Sequence, residues 1–115
     1  MLLNNWGGIS HRMMEFHEYV NLFSGKSGSG KSTVMDAIQV VLYGSMSASF
    51  LNKAADDAKN RRSVMSYLRG EQKDGTANRG GQDFGSTLVL EIKDTGNGIT
   101  TCFGVLFEIG KADTD

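Results

Sequence analysis

Residues 21–33, "NLFSGKSGSGKST", decide the fold: three glycines within six residues precede a lysine and two hydroxyl side chains. Ordering so flexible a loop costs conformational entropy, so a bound ligand is expected there. Upstream, "YVNLF" at 19–23 combines aromatic and β-branched residues and predicts a strand. Downstream, Val34, Ile38 and Val41 are spaced i, i+4 and i+7 and predict a helix over 31–43 that stops at Gly44.

The glycine loop fits the pattern G-x-x-x-x-G-K-[ST], between a predicted strand and a predicted helix. Glycines let backbone N–H groups turn toward phosphate oxygens, and the helix start adds unpaired N–H groups and a positive dipole end. The loop therefore predicts nucleotide binding, with Lys31 on the outer phosphates, Ser32 on Mg²⁺ and Thr33 on an inner phosphate. The predicted binding residues are Gly25, Lys26, Ser27, Gly28, Ser29, Gly30, Lys31, Ser32 and Thr33. A chance match or a plain linker is the alternative, and the apolar flanks disfavour it.

The composition limits the classes of protein to which the chain can belong. The 115 residues are 39% apolar and 22% charged, as in an ordinary single globular domain, and the net charge of −1 provides no basic field for nucleic acid. No apolar run approaches the ~20 residues that cross a bilayer, and the amino terminus does not resemble a secretory signal. The single cysteine, Cys102, lies in a predicted strand, so we expect a buried thiol and a reducing, cytoplasmic setting.

Further elements follow from local patterns. Strands are predicted at 2–6 and 12–18, and short helices at 50–59 and 62–69. Residues 87–93 and 99–109 form a predicted hairpin around the turn signal Asn97-Gly98. Residues 70–86 are rich in glycine without apolar periodicity, which predicts a flexible loop joining two halves of the domain, with a ligand role as the alternative. The fold class is therefore α/β.

Hydrolysis would require a carboxylate for the metal, and Asp94 is the candidate because it follows an apolar strand. Its glycine-rich surroundings favour a turn-forming role instead. Trp6 is predicted to be a core or interface aromatic, with stacking on adenine as the alternative. His11 and His17 have no partners at metal-ligand spacing.

The loop and its continuation, "GKSGSGKSTVMDAIQVVLYG" at 25–44, resemble the amino-terminal ATPase segment of the structural-maintenance-of-chromosomes (SMC) proteins, in which Asp-Ala-Ile follows the loop as at 36–38. Other pieces resemble the MukB-like branch, in particular the SMC-like subunit of Wadjet plasmid-defence systems. These are "NWG" at 5–7, "NKAA" at 52–55, the arginines at 61–62 and "SYLRG" at 66–70. The resemblance spans most of residues 2–109.

This resemblance implies a P-loop NTPase fold of the ABC type. Residues 1–115 would form the amino-terminal (Walker A) lobe of an SMC-like head, incomplete here, with strands around the P-loop–helix unit and a β-hairpin. The carboxy-terminal lobe would carry the signature motif and the catalytic acids, and no LSGGQ-like sequence occurs here. ATP and Mg²⁺ would join two heads, and hydrolysis would require the dimer of two-lobe heads. The full assembly would bind DNA, and no membrane partner is expected.

The resemblance also assigns Arg69, within "LRG", to the nucleotide phosphates, so that Lys31 and Arg69 are the candidate catalytic residues. A solvated arginine at a helix C-terminus is the alternative for Arg69. Two other functions stay open. One is a stand-alone P-loop kinase that uses Asp94 as its metal carboxylate and residues 70–85 as a lid. The other is an ABC transporter ATPase fragment, since SMC proteins commonly have Asn at the position of Ser27 and "SGSGKST" also occurs in transporter ATPases.

Overall fold

A computed structural model describes residues 1–25, 30–44, 63–72 and 74–113. Within these ranges the chain forms four strands and two helices, which confirms the predicted α/β class. The elements are β1 (Leu2–Trp6), β2 (Ile9–Met13), α1 (Lys31–Tyr43), α2 (Val64–Arg69), β3 (Phe84–Lys93) and β4 (Thr100–Ile109).

The strands form one antiparallel sheet in the order β2-β1-β3-β4. β1 turns directly into β2 and pairs on its other side with β3, where Leu3 faces Leu88. β3 and β4 pair along their full length, from Phe84 opposite Ile109 to Lys93 opposite Thr100. The hairpin predicted around Asn97-Gly98 is therefore confirmed.

The core lies between one face of this sheet and the two helices. Alternation along β3 directs Leu88 and Leu90 inward, while α1 contributes Ala37 and Val40 and α2 contributes Leu68. Each fully buried Val or Leu side chain contributes roughly 1.5–3 kcal/mol by leaving water. The sheet and the two helices are therefore held together by this shared core.

The strand predicted at 19–23 is wrong, because the segment has no regular structure. Tyr19, Val20 and Leu22 are 88%, 77% and 86% exposed. A strand requires a neighbour for its backbone N–H and C=O groups, and no described strand pairs with this segment. The strand predicted at 12–18 is wrong beyond its first two residues, because β2 runs from Ile9 to Met13, where it pairs with β1 through a tight turn, and residues 14–18 have no regular structure.

The prediction of a buried Cys102 is also wrong. The thiol is exposed, and its Sγ lies 3.9 Å from Oε2 of Glu91, its partner across the strands. Alternation places this pair on the face opposite Leu88 and Leu90, where Leu106 is also exposed. The outer face of β3 and β4 is therefore exposed at this pair.

The remaining predictions concern the middle of the chain. The helix predicted at 50–59 lies outside the described residues, and the helix predicted at 62–69 corresponds to α2, with Ser63 as its N-cap. Within 70–86, the described residues form turns and a bridge between Glu71 and Ala77, and β3 already begins at Phe84. The flexibility of this loop stays a prediction.

Among the residues described, no helix has the length and apolar character required to cross a membrane.

Candidate functional site

The two ends of the glycine loop are described, at Gly25 and from Gly30 onward, whereas Lys26, Ser27, Gly28 and Ser29 lie outside the described residues. Lys31 donates a hydrogen bond from Nζ to the carbonyl of Gly25. Because Gly25 opens the motif and Lys31 follows its last glycine, this contact folds the ammonium group back across the loop. Lys31 is the one cation of the motif in the described part of the chain. Its ammonium group thus lies beside Gly25, the first residue of the motif.

The first turn of α1 has free hydrogen-bonding capacity. Gly30 occupies the N-cap position in the left-handed region, at φ 98° and ψ 8°, and no side chain caps the helix there. The first N–H groups of any α-helix lack intrahelical acceptors, and the dipole is positive at that end. Ser32 is exposed and Thr33 is half-buried. Such a terminus suits an anion, as the sequence predicts.

A buried aromatic pair lies behind this first turn. Trp6 is completely buried and stacks on Tyr67, with ring centroids 4.7 Å apart and planes at 16°. Its indole Nε1 donates to the carbonyl oxygen of Thr33 at 2.9 Å, and the Tyr67 hydroxyl donates to Oδ2 of the buried Asp36 at 2.5 Å. A ring without exposed surface offers no face to a base, so the prediction of a core tryptophan is confirmed.

Gly7 packs directly against the same turn of the helix. It has φ 59°, and a Cβ at this position would lie only 2.7 Å from Cγ2 of Thr33. The Gly7 N–H donates to the carbonyl of Tyr67 at 2.7 Å. The "NWG" segment, identified in the sequence only as a family resemblance, therefore contacts the phosphate-loop helix.

Arg79 was missed in the sequence, where it is a lone arginine within "NRGG". Its guanidinium is buried, with Nε donating to the carbonyl of Leu68 at 2.7 Å and Nη2 to the carbonyls of Gly7 at 2.7 Å and Tyr67 at 3.2 Å. Burial lowers the pKa of this guanidinium, although arginine remains charged in proteins. One side chain thus joins the glycine-rich segment to the end of α2 and to Gly7.

Arg69 is only 7% exposed, so the alternative of a solvated arginine is wrong. Its guanidinium donates to four backbone carbonyls, of Arg79, Gln82, Gly110 and Asp113, at 2.8–3.2 Å. These bonds account for its position. The contact with nucleotide phosphate stays a prediction, and it would require the guanidinium to exchange some of these carbonyls for phosphate oxygens.

Three other sequence candidates are described, of which Asp94 and His11 make side-chain hydrogen bonds. Asp94 Oδ1 accepts the N–H of Gly96 at 2.8 Å and its carbonyl accepts the N–H of Gly98 at 2.8 Å, which confirms the turn-forming role. His11 Nδ1 is hydrogen-bonded to Oδ1 of Asn4, and His17 is exposed. No group of three metal-ligating side chains occurs among the described residues.

Residues 1–58, half of the chain, match the family described as the P-loop containing region of AAA domain, and the chain belongs to this family. It is also 37% identical over 72 residues to the C subunit of the nuclease SbcCD of Staphylococcus haemolyticus (strain JCSC1435), a match that covers 59% of this chain and 6% of that protein. The chain thus spans a small fraction of this relative. No solved structure matches. The predicted P-loop class is confirmed.

Proposed function

We propose that the chain binds Mg·ATP through residues 25–33, as the amino-terminal lobe of an ABC-type, SMC-like ATPase head. The observation that carries the proposal is the geometry at the loop's end. Lys31 folds back to the Gly25 carbonyl, beside a helix terminus that no side chain caps. On binding, the ammonium group would exchange this carbonyl for an outer phosphate. Ser32, exposed on the same turn, would ligate Mg²⁺.

The remaining loop residues act mainly through their backbone. Gly25, Lys26, Ser27, Gly28, Ser29 and Gly30 would direct N–H groups at the phosphates. Thr33 would bind an inner phosphate through its hydroxyl. Lys31 is the catalytic candidate that the geometry supports best, and Arg69 would join it only after releasing carbonyls.

The similarity to a nuclease component supports a role on DNA. In this proposal the cytoplasmic protein continues into a carboxy-terminal lobe, and a second head completes each ATP site. The net charge of −1 leaves DNA contact to the assembly rather than to this lobe. We propose further that the head belongs to the MukB-like branch and, within it, resembles the SMC-like subunit of Wadjet systems. This assignment rests on the "NWG", "NKAA" and "SYLRG" segments.

The two alternative functions receive less support. A stand-alone kinase would require Asp94 as metal ligand, whereas its Oδ1 holds the hairpin turn. A transporter ATPase would use the same loop chemistry, and the similarity to a nuclease component favours the DNA-associated protein instead.

Isothermal titration calorimetry tests the binding site. Folded wild-type chain should give heat with Mg·ATP, and Lys31→Ala should lower the affinity at least tenfold, about 1.4 kcal/mol, because a full charge on the outer phosphates is lost. The matched control is Lys93→Ala, which removes an exposed lysine at the end of β3 and should leave the affinity unchanged. Titrations with GTP and with adenosine measure base preference and dependence on phosphate.

Two outcomes would contradict the proposal. The first is a folded wild-type sample, checked by circular dichroism, that gives no heat with either nucleoside triphosphate. The second is a Lys31→Ala variant that binds as tightly as Lys93→Ala, because the phosphate site would then lie elsewhere.

A further inference from the structure

The last residue of β1 and the first residue of the turn into β2, together called the Trp6-Gly7 turn, contact Thr33 in two independent ways. The Trp6 indole N–H donates to the Thr33 carbonyl at 2.9 Å. The Cα of Gly7 approaches the Thr33 side chain so closely that a Cβ would lie 2.7 Å from Cγ2. Thr33 is the last residue of the predicted phosphate-binding set. The turn therefore constrains both the backbone and the side chain of that residue.

The turn is itself fixed from several sides. Asn5, just before it, has φ 53° and is bonded twice to β3: its Nδ2 donates to the Gly85 carbonyl, and its carbonyl accepts the Ser86 hydroxyl at 2.7 Å. Gly7 donates to the Tyr67 carbonyl and accepts from Arg79. Moving the turn would break bonds to both the sheet and α2, so the sheet and α2 determine where the turn holds Thr33.

The Trp6–Thr33 bond is not needed to complete α1. A carbonyl oxygen has two lone pairs, and one already suffices for the i+4 N–H of the helix. The buried indole N–H, by contrast, requires an acceptor, and the one it uses belongs to the first turn of the phosphate-loop helix. The bond thus connects the first turn of α1, where phosphate would bind, directly to β1 of the sheet.

We propose that the Trp6-Gly7 turn is a positioning element for nucleotide binding: it fixes Thr33, and with it the direction of the first N–H groups of α1. Trp6 acts through Thr33, because a completely buried ring cannot contact the nucleotide. This inference rests on the proposed function of the loop. It implies that the indole N–H senses nucleotide occupancy from inside the core.

Trp6→Phe tests the bond, because the smaller ring can still stack on Tyr67 while the N–H donor is lost; a control must account for the buried volume that the substitution also removes. Affinity for both Mg·ATP and Mg·ADP should fall roughly three- to tenfold, the equivalent of one hydrogen bond. The matched control is Ile109→Val, which removes a buried methylene at the end of β4. It should destabilise the fold without changing affinity.

The wild-type chain offers a spectroscopic readout, since it has a single tryptophan. Its one indole ¹⁵N–¹H signal should shift on addition of Mg·ATP, and a purely structural tryptophan would show no change. If Trp6→Phe does not fold, Gly7→Ala against Gly98→Ala replaces it. Both glycines have a positive φ, 59° and 74°, but only a Cβ on Gly7 presses on Thr33, whereas no described atom lies within 4 Å of a Cβ added at Gly98.

The outcomes are distinguishable. No binding by folded wild-type chain overturns the proposed function and this inference together. Binding by wild type with an unmoved indole signal and an unchanged affinity in Trp6→Phe overturns the inference alone. Equal affinity losses in Trp6→Phe and Ile109→Val also overturn it, because general destabilisation would then explain both.

Discussion

Two buried arginine side chains lie close to one phenylalanine ring. The guanidinium carbons of Arg69 and Arg79 are 5.5 and 5.7 Å from the centre of the Phe84 ring. In the described part of the chain their hydrogen-bond partners are backbone carbonyls. A planar guanidinium with five donors can bind several carbonyls at once, and an ammonium group cannot reproduce that geometry.

Arg79→Lys should therefore be costly although the charge is kept. The lysine ammonium cannot reach the Leu68, Gly7 and Tyr67 carbonyls together, so buried carbonyls lose a charged donor. We expect a loss of about 2–3 kcal/mol in the free energy of unfolding, measured by urea titration. Arg12→Lys, at an exposed position of β2, is the control. Equal stability of the two variants would contradict the assigned role.

The contacts of single residues were the least predictable part of this structure. Arg79 and Gly7 are 72 positions apart, and nothing local in "NRGG" indicates that this arginine is buried. A phosphate-binding role for Lys31 could be predicted from the sequence because the motif carries its own chemistry. Arg69 was assigned by resemblance, which gave no indication of its four carbonyl partners.

At the scale of elements, prediction succeeded where the determinants are local. Helix α1 has the predicted bounds, 31–43, because apolar spacing and a terminal glycine define it. The hairpin followed from Asn97-Gly98 and strand alternation. The segment 19–23 has equally good strand composition but no described partner strand, and strand propensity alone does not form a strand.

Both helices end at a left-handed glycine, which offers a paired test. Gly44 has φ 62° with no described atom within 4 Å of an added Cβ, whereas Gly70 has φ 68° and its Cβ would lie 2.8 Å from the Gly7 carbonyl oxygen. Gly44→Ala should cost about 1 kcal/mol, the strain of the left-handed conformation. Gly70→Ala should cost at least about 1 kcal/mol more in urea unfolding, because backbone must also shift. Equal losses would indicate that α2 and the Trp6-Gly7 turn are not tightly packed.

At the scale of the whole molecule, the sheet connects the start of α1, at the end of the glycine loop, to α2. β1 carries Trp6 to the start of α1, β3 anchors the turn through Gly85 and Ser86, and α2 closes it through Tyr67. The apolar side chains of Tyr19, Val20 and Leu22 remain exposed immediately before the loop. In the proposed function, this is surface for the carboxy-terminal lobe to cover. The chain spans 6% of its SbcCD relative. The carboxy-terminal lobe and its catalytic acids therefore belong to the proposed function.

The proposed division of labour predicts nucleotide binding without turnover by this chain alone. Phosphate binding requires the loop and α1, whereas hydrolysis also requires a carboxylate that holds the metal and orients water. Asp94, the candidate from sequence, places Oδ1 on the Gly96 N–H inside the hairpin turn. Wild-type chain with saturating Mg·ATP should therefore release phosphate no faster than buffer in a continuous phosphate assay.

Asp94→Asn separates this expectation from the kinase alternative. The amide oxygen can still accept the Gly96 N–H, so the variant should fold and bind Mg·ATP like wild type, with phosphate release unchanged at background. A kinase that uses Asp94 as its metal carboxylate would instead show steady phosphoryl transfer in wild type that this variant abolishes. Robust turnover that survives Asp94→Asn but is lost in Lys31→Ala would contradict both hypotheses, since the chain would then hold a complete catalytic site of its own.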